Sequence, residues 1–314
     1  MAATSADVAR RAGLSRATVS QILNGHDHRF TADTAQRVRQ AARELDYEPS
    51  AAGRMLRRGS SDFIVALIPD TTYGSNLQDI FDPLTESLAE NGLGLVLHFS
   101  MGSPGSLDRI LGGIRPRAVL SLRPFSPEER QILTEREVPG FDTTTDTDFD
   151  SDIGALQAQH LIARGFQRLA FVHLHDRRSN PYGPGREQGV VNTCAAAGLP
   201  SPRVLGIAVD RSSADEALAA FEPGTGIACY NDDVAIALMT AVERRGWRIP
   251  ADIGLIGMDS TPLAQVMNPP LTTVGYDLAA VARLAANTAL RAIGQNVNLP
   301  SPDLGLRIIE GSSC

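Results

Sequence analysis

From residue 63 onward, the sequence alternates short apolar segments with longer stretches whose apolar residues recur at helical spacing. Because parallel strands need a crossover between them, this alternation predicts parallel sheets covered by helices on both faces. An acidic loop at 143–152 lacks apolar periodicity and divides the strands four and four, so we expect two sheets with a lobe boundary there. The eight predicted strands are Phe63–Pro69, Leu93–Phe99, Ala118–Leu122, Val138–Asp142, Arg168–Leu174, Val204–Val209, Gly226–Tyr230 and Ile253–Met258.

The first 60 residues carry helix signals instead. Thr4 and Asp7 have the spacing of a capping box, and Gly13 is placed to end the helix that follows. Ser15 and Thr31 are residue types that favour the N-cap position, and each precedes an apolar stripe. We therefore predict a small all-α unit, with a first helix of about two turns, a second over Arg16–Asn24 and a third from Thr31 to about Leu45.

Charge is distributed unevenly along the chain, whose formal net charge is −7. Residues 1–60 hold ten arginines and six acidic residues, a local charge of +4, whereas residues 61–314 hold 19 arginines and 30 acidic residues, a charge of −11. All 29 basic residues are arginine, whose planar fork of donors suits phosphates and guanine edges, although exclusive arginine usage is equally typical of a GC-rich genome. The basic first unit favours a nucleic-acid partner.

Several protein classes are disfavoured by what the sequence lacks. No apolar run approaches the roughly 18 residues that a membrane helix needs, and no secretion signal is recognisable, so we expect a cytoplasmic protein. Without a phosphate loop, nucleophile elbow, zinc-protease or dinucleotide motif, no enzyme, cofactor or metal site is predicted. His173 and His175 share a strand face at a spacing compatible with a metal, but polar lining is the preferred interpretation. Cys194, Cys229 and Cys314 suit neither a disulfide framework nor a zinc cluster, and we expect two buried side chains and a loose thiol at Cys314.

Two short helices joined by a tight turn can place the second helix in the major groove of DNA. On that helix, Arg16 could pair with guanine, Ala17 could contact a thymine methyl group and Gln21 could bind adenine. From the pattern alone, the two helices could equally belong to any small bundle. The residues predicted to contact DNA here are Ser15, Arg16, Ala17, Thr18, Ser20, Gln21 and Asn24.

The run from Asp7 to Gly25, DVARRAGLSRATVSQILNG, resembles the helix-turn-helix of the lactose-repressor and galactose-repressor (LacI/GalR) family over nineteen consecutive positions. Residues 51–57, AAGRMLR, resemble the hinge helix of that family. The resemblance implies that the hinge helices of two subunits fold on the operator and insert Leu56 at the central base step of the minor groove. It also implies that Arg54 contacts DNA.

Four residues depart from the family pattern. Gly53 replaces a usual alanine, and glycine costs about 1 kcal/mol relative to alanine in a helix, so the hinge is expected to order less readily. Gln21 replaces a common arginine, so we expect an operator half-site that differs from the commonest sequence of the family. Asp46 and Glu48 subtract positive charge beside the DNA, so we expect weaker nonspecific affinity.

Polar residues at strand ends are candidates for a ligand pocket, because ligands of open parallel sheets settle beyond the carboxyl ends of the strands. The same residues could instead cap the helices that follow. They are Asp70, Ser100, Arg123, Thr143, His175, Asn231 and Asp259.

Downstream motifs extend the resemblance to the effector-binding core of the family: YNDDVA at 230–235, GMD at 257–259 and PPLTTV at 269–274. They imply a two-lobed, periplasmic-binding-protein-like core that holds a small molecule, such as a sugar or related metabolite, between its lobes. Segment 70–76 departs from the family pattern, so a nonsugar effector stays open. From the strand-end rule and the resemblance together, the predicted effector-binding residues are Asp70, Arg123, Arg186, Asn231, Asp259 and Tyr276.

The sequence thus predicts an α/β protein with an all-α helix-turn-helix headpiece and hinge helix, followed by a two-lobed core of parallel sheets flanked by helices. After Tyr276, the chain is expected to return to lobe 1 as a helix, Asp277–Ile293, and then to add a strand to lobe 2 within Leu304–Ile309. The predicted boundaries are 1–49 for the headpiece, 50–60 for the hinge and linker, and 61–314 for the core, with lobe 1 at about 61–145 plus 277–293 and lobe 2 at about 146–276 plus 294–314.

We expect a homodimeric repressor that binds pseudo-palindromic operator DNA and is controlled by a small-molecule effector. Two alternatives remain open at this point. One is a solute-binding protein without a DNA function, which would need an export signal and has no use for a helix-turn-helix. The other is a regulator that activates transcription or responds to a nonsugar effector.

Overall fold

The computed structural model describes residues 3–23, 27–48, 59–71, 76–100, 104–142, 147–176, 178, 180–295 and 303–314. The chain divides into two compact units, Met1–Asp62 and Phe63–Cys314. The described part of the first unit is helical, and the second unit contains two sheets.

The first unit confirms the three predicted helices and their caps. Thr4 and Asp7 form the capping box, and Gly13 ends the first helix with a left-handed φ of 67°. Ser15 Oγ accepts a hydrogen bond of 3.0 Å from the backbone N of Thr18, as expected of an N-cap. The helices are α1 (Ser5–Ala12), α2 (Arg16–Leu23) and α3 (Ala32–Glu44), with a 3₁₀ turn at Asp27–Arg29 before α3.

Helix α3 packs against α1 and α2 and stabilises the turn between them. Val8, Val19 and Val38, one from each helix, are fully buried in a common apolar cluster. The guanidinium of Arg37 donates to the carbonyl of Ala12 at 2.6 Å and so satisfies an acceptor at the end of α1. One face of α2 is therefore held in the core.

The second unit has the predicted α/β architecture of two sheets with helices on their faces. Its described strands are β1 (Phe63–Pro69), β2 (Gly94–Ser100), β3 (Ala118–Ser121), β4 (Gly140–Asp142), β5 (Arg168–Leu174), β6 (Arg203–Ile207), β7 (Thr225–Cys229), β8 (Ile253–Met258), β9 (Thr272–Gly275) and β10 (Arg307–Ile309). The first sheet, in the order β2-β1-β3-β4, forms lobe 1 and is parallel throughout. The second sheet, in the order β10-β9-β8-β7-β5-β6, forms lobe 2 and is parallel except for β10.

The helices of the second unit cover both sheets. Its described helices are α4 (Asn76–Glu90), α5 (Pro104–Ile114), α6 (Pro127–Glu135), α7 (Thr147–Ala163), α8 (Gly183–Ala196), α9 (Arg211–Ala219), α10 (Asp232–Arg244), α11 (Pro262–Val266) and α12 (Leu278–Ala292). As expected from the sequence, α12 returns to lobe 1, where Ala282, Ala286 and Ala289 pack into the apolar cluster of the first sheet. Among the helices that the structure describes, none combines the length and the apolar character that a membrane crossing requires.

The second sheet has six strands, two more than the four predicted by counting apolar segments. Strand β10 falls within the segment Leu304–Ile309 that was expected to add a strand. Strand β9 is not predicted, because it has only four residues and two of them are threonines. Thr272 and Thr273 are fully buried, so burial does not follow hydropathy here.

Two further predictions are wrong. The acidic segment 143–152 is not a loop throughout, because α7 begins at Thr147. Asp150 and Asp152 lie within this helix. Cys314 is not a loose thiol, since it is only 7% exposed. The neighbouring Ser313 hydroxyl donates to the carbonyl of Leu255 at 2.6 Å, which fixes this segment against β8.

Glycines allow α7 and α8 to pack backbone to backbone. A Cβ on Gly154 of α7 would lie 1.9 Å from the carbonyl oxygen of Arg186, and a Cβ on Gly189 of α8 would lie 2.0 Å from the carbonyl oxygen of Ser151. Real side chains cannot approach so closely. The two glycines therefore set the distance between the two helices.

Asp232 joins α10 to the sheet of lobe 2. Its carboxylate accepts hydrogen bonds from the backbone N and the hydroxyl of Thr261, at 2.7 and 3.0 Å, and from the hydroxyl of Thr273, at 2.6 Å. Burial raises the pKa of Asp232 to about 6, although these hydrogen bonds act in the opposite direction.

A methyl group at Gly154 should separate α7 from α8. We expect Gly154→Ala to lower the free energy of unfolding by about 1–3 kcal/mol through overpacking. Gly113→Ala is the matched control: it lies in α5 with no atom within 4 Å of the added Cβ, and should raise that free energy by up to about 1 kcal/mol. Urea unfolding of both variants measures the difference, and equal effects would contradict the close packing.

Asp232 should make the second unit less stable as the pH rises. Because its pKa is raised in the folded state, its contribution to stability is complete below about pH 4 and is lost as the pH passes through about 6. A shift of about two pKa units corresponds to about 3 kcal/mol. Asp232→Asn should flatten the change in unfolding free energy between pH 4 and 7, measured by urea titration. A slope identical to that of the wild type would refute this role.

Candidate functional site

The outer face of α2 carries the residues that the sequence assigns to base contacts. Arg16, Ala17 and Gln21 are exposed, whereas Val19 and Ile22 on the opposite face are buried. The three exposed side chains are an arginine fork, a methyl group and a carboxamide, which match guanine, the thymine methyl group and adenine respectively. The arrangement can therefore read base edges in a major groove.

The residues flanking that face are partly used within the headpiece. The hydroxyls of Ser15 and Thr18 share a hydrogen bond of 2.9 Å, and Ser20 is half-buried. On the neighbouring helices, Arg11 and Glu44 form an ion pair of 2.5 Å. Three other predicted DNA contacts lie outside the described residues: Asn24, Arg54 and Leu56.

The second candidate site is a cleft at the carboxyl ends of the parallel strands. Asp70 follows β1 and Asp259 follows β8, as the strand-end rule predicts, and Tyr276, which was named from the family resemblance, follows β9. Arg186 enters the same region from the first turns of α8. The two lobes meet in this region, because the Asn76 side chain of α4 donates to the backbone carbonyl of Asp259 at 2.8 Å.

Arg186 is the most enclosed cation of this cleft, with 6% of its surface exposed. Its Nε donates to Asp150 at 3.0 Å, and its Nη1 donates to the backbone carbonyl of Tyr230 at 2.6 Å. The guanidinium carbon lies 5.4 Å from the ring centroid of Tyr182 and 5.1 Å from that of Tyr230. Both distances are within the range of cation–π contacts.

Electrostatics keep this arginine charged. Burial alone would lower the pKa of Arg186, but the nearby Asp150, Tyr230 and Asp259 raise it overall. Burial raises the pKa of Asp150, and the guanidinium offsets only part of that effect. The cleft therefore contains a positive charge surrounded by carboxyl groups that are partly desolvated.

Asp259 lies in a strained turn beside Arg186. Its φ of 105° lies in the left-handed region, and Ser260 follows with a φ of 51°. Burial raises the pKa of Asp259 well above its ordinary range, although the charge of Arg186 acts in the opposite direction. The smaller effects of Asp232, Asp233 and Asp150 add to the rise. Such a carboxyl group can take up a proton and so donate as well as accept hydrogen bonds.

Two aromatic side chains of lobe 2 pack together near Asp259. Phe149 and Tyr276 meet edge to face with ring centroids 5.9 Å apart. Burial raises the pKa of the Tyr276 phenol, so its hydroxyl stays protonated. Rings of this kind suit the apolar faces of a sugar or another flat ligand.

Two predicted effector-binding residues already have partners within the protein. The guanidinium of Arg123 forms a bidentate pair with Glu129, at 2.8 and 2.6 Å. The Oδ1 atom of Asn231 accepts from the backbone N of Val234 at 3.1 Å and caps α10. Both arrangements correspond to the capping and structural alternatives, so effector contacts by Arg123 and Asn231 stay predictions.

His173 is held by protein partners. Its Nε2 lies 2.8 Å from a carboxylate oxygen of Glu187, and its Nδ1 lies 2.9 Å from the amide nitrogen of Asn180. His175 follows β5 and is exposed. Within the described ranges, no group of three or more His, Cys, Asp or Glu side chains is arranged to hold a metal ion.

Three residues around Arg186 are missing from the predicted site: Asp150, Tyr182 and Tyr230. Asp150 belongs to the segment interpreted as a loop, and the ion pair spans 36 positions, so no local spacing could reveal it. Tyr230 directly precedes a predicted pocket residue, and Tyr182 is one of the aromatic residues near the predicted pocket, so both had a signal in the sequence. The ring of Tyr230 is almost fully buried, at 1% exposure.

Comparison with known families identifies both units. The family described as bacterial regulatory proteins, lacI family, matches residues 4–50, and the periplasmic binding protein-like domain matches residues 158–314. The HTH-type transcriptional regulator GntR of Pseudomonas aeruginosa is 29% identical over 98% of this chain and 94% of its own length. The HTH-type transcriptional repressor PurR of Vibrio cholerae is 30% identical over 87% of this chain and 86% of its own length.

Solved structures share the fold. The Lac repressor dimer bound to operator and the anti-inducer ONPF superposes with a TM-score of 0.80 at 20% identity, covering 100% of this chain and 99% of its own. A complex of the transcriptional regulator CelR with cellobiose gives a TM-score of 0.68 at 22% identity, covering 99% and 100%. The predicted fold class and family resemblance are thereby confirmed, and the relatives are named as transcriptional regulators, not as enzymes. The family match over the headpiece, together with 30% identity to a relative across most of both chains, shows that this protein belongs to the LacI family of bacterial transcriptional regulators.

Proposed function

We propose that this regulator represses transcription by binding operator DNA as a homodimer and that a small molecule in the cleft changes its operator affinity. The observation that carries the proposal is the exposed face of α2, where Arg16, Ala17 and Gln21 project away from the headpiece core. The Lac repressor, which was solved as a dimer on its operator, has the same fold and supports this interpretation. Because operator DNA lies in the cytoplasm, the proposal places the protein there.

The contacts assigned to DNA divide into two groups. Arg16, Ala17 and Gln21 read bases in the major groove. The phosphate contacts are assigned to Thr18, Ser20 and Asn24. Arg54 and Leu56, together with the headpiece, hinge and core boundaries at 49 and 60, stay part of the proposal. Ser15 acts by fixing the start of α2.

The effector is proposed to bind beside Arg186, Asp259 and Tyr276. A guanidinium and a carboxyl group can hold adjacent hydroxyls of a polyol, and the rings of Phe149 and Tyr276 can pack against its apolar face. Asp70 lies at the lobe 1 side of the same cleft. A sugar or related metabolite fits this chemistry, and CelR, which shares the fold, was solved in complex with the sugar cellobiose.

Dimerisation is proposed to use exposed apolar side chains of both lobes. On α11, Leu263 is 53% exposed and Val266 is 76% exposed, and on the edge strand β2, Phe99 is 61% exposed. Contiguous exposed apolar patches mark interaction surfaces, and the proposal takes these side chains as parts of one such patch. A second copy is the partner that a pseudo-palindromic operator requires.

Substitution on the outer face of α2 should weaken operator binding. Genomic DNA fragments selected by the purified protein supply the operator, and Kd is then measured by fluorescence anisotropy at several salt concentrations. We expect Arg16→Ala and Gln21→Ala each to raise Kd by about 5- to 150-fold and to relax base preference at one position per half-site.

Arg203→Ala is the control for lost charge, because Arg203 is exposed on β6 of lobe 2. It should change Kd less than twofold. If the wild type enriches no sequence at any salt concentration, the operator-binding proposal fails.

A charge on α11 should disrupt the dimer. Val266→Asp would place a carboxylate where the partner copy is expected to pack, so sedimentation at micromolar concentration should shift from dimer towards monomer. Val209→Asp makes the same change at another exposed valine, outside α11 and β2, and should leave the dimer intact. A wild-type monomer, or equal behaviour of the two variants, would argue against this interface.

A further inference from the structure

Among the described residues, three hydrogen bonds link lobe 2 to lobe 1 across the cleft. The hydroxyl of Tyr182, just before α8, donates to the carbonyl of Leu122, just after β3, at 2.6 Å. The hydroxyls of Tyr230 and Thr71 share a hydrogen bond of 3.2 Å, and the Asn76 side chain donates to the backbone carbonyl of Asp259 at 2.8 Å. Two of the three therefore depend on tyrosine hydroxyls of lobe 2.

The same two tyrosines enclose Arg186. Its guanidinium lies within 5.4 Å of both ring centroids, while its own hydrogen bonds go to Asp150 and to the carbonyl of Tyr230. Both of these hydrogen-bond partners belong to lobe 2. The two tyrosines therefore contact both the guanidinium and lobe 1.

Protonation keeps these contacts available. Burial raises the pKa of Tyr230 to about 12, so the phenol stays neutral near pH 7. Thr71 and the neutral phenol can exchange donor and acceptor roles, and the Leu122 carbonyl is a fixed acceptor. The contacts persist across the physiological pH range.

We propose that Tyr182, Tyr230 and Arg186 form a clasp that holds the two lobes together without a ligand, and that an effector reaching Arg186 must open or rearrange it. The effector half of this inference rests on the proposed function, because it takes the cleft as the effector site. The clasp itself does not. In this proposal, Tyr182 and Tyr230 are positioning residues. An effector bound at Arg186 would displace their rings and so change the hydrogen bonds that their hydroxyls make with Leu122 and Thr71 of lobe 1.

The clasp implies that its two tyrosine contacts open together. Removing either hydroxyl should loosen both, since each holds the same pair of lobes. A purely local role would instead disturb only the immediate neighbours of the altered residue. This difference can be measured without knowledge of the effector.

Hydrogen exchange of the full-length protein, without DNA or effector, provides the test. The reporters are the cleft amides of Thr71, Arg123 and Gly183, each beside one of the two contacts. Tyr182→Phe keeps the ring over Arg186 but removes the donor to Leu122. We expect it to accelerate exchange about three- to tenfold at Arg123 and Gly183 and also at Thr71, beside the other contact.

Thr71→Val and Tyr230→Phe each remove one side of the second contact. Each alone should accelerate exchange at all three reporters, and the double variant should match the single variants, because they break one shared hydrogen bond. Arg186→Lys keeps the positive charge but removes the planar guanidinium that contacts the two rings. We expect this variant to accelerate exchange at the three reporters, even though the hydrogen bonds of Arg186 lie within lobe 2.

Thr85→Val is the matched control, since the Thr85 hydroxyl donates to Phe81 within α4, outside the cleft. It should leave the three reporters unchanged. Acceleration confined to the neighbourhood of each substitution, or none at all, would overturn the clasp. Because the readout contains no DNA, failure here is distinguishable from failure of operator binding.

Discussion

The second unit is organised around one constraint: the buried guanidinium of Arg186 cannot be left without partners. An unpaired buried charge costs several kcal/mol, so the fold must bring acceptors to it from distant parts of the chain. Asp150 comes from α7, the Tyr230 carbonyl comes from the end of β7, and two aromatic rings stack beside the cation. The close approach of α7 and α8 at Gly154 makes this geometry possible, because a side chain there would push Arg186 away from Asp150.

The elements of the fold were largely predictable because their signals are local. Capping residues such as Thr4 and Ser15 and the apolar segments of β1, β5 and β8 placed those elements where the structure has them. Strand β9 was not predicted, because its buried residues include threonines whose hydrogen-bond partners are distant in the sequence. Thr273, for example, donates to Asp232, which lies 41 positions away. The start of α7 was not predicted, because carboxylates near a helix N-terminus cannot be distinguished from a polar loop by hydropathy alone.

The candidate site was predictable only in part, and effector binding there stays a prediction. Strand ends indicated Asp70 and Asp259, since the carboxyl edge of a parallel sheet is a consequence of topology alone, whereas Tyr276 was named from the family resemblance because β9 was not predicted. A polar side chain at a strand end can face the cleft or be used in contacts within the protein. Which of the two occurs depends on neighbouring side chains that residue spacing in the sequence does not reveal. Arg123 illustrates this, because Glu129 takes up its guanidinium in a bidentate pair.

The discontinuity of both lobes bears on how the protein is made. Lobe 1 needs α12 to cover its sheet, and lobe 2 needs β10 and Ser313 to complete its own. In the part of the chain that the structure describes, the apolar cluster of the headpiece is built from residues of its own unit. During synthesis, the headpiece can therefore fold long before either lobe has all its parts, since domains fold as units while the ribosome is still adding residues. For most of its time on the ribosome, the nascent chain therefore has a folded headpiece while the two lobes of the effector-binding core are still incomplete.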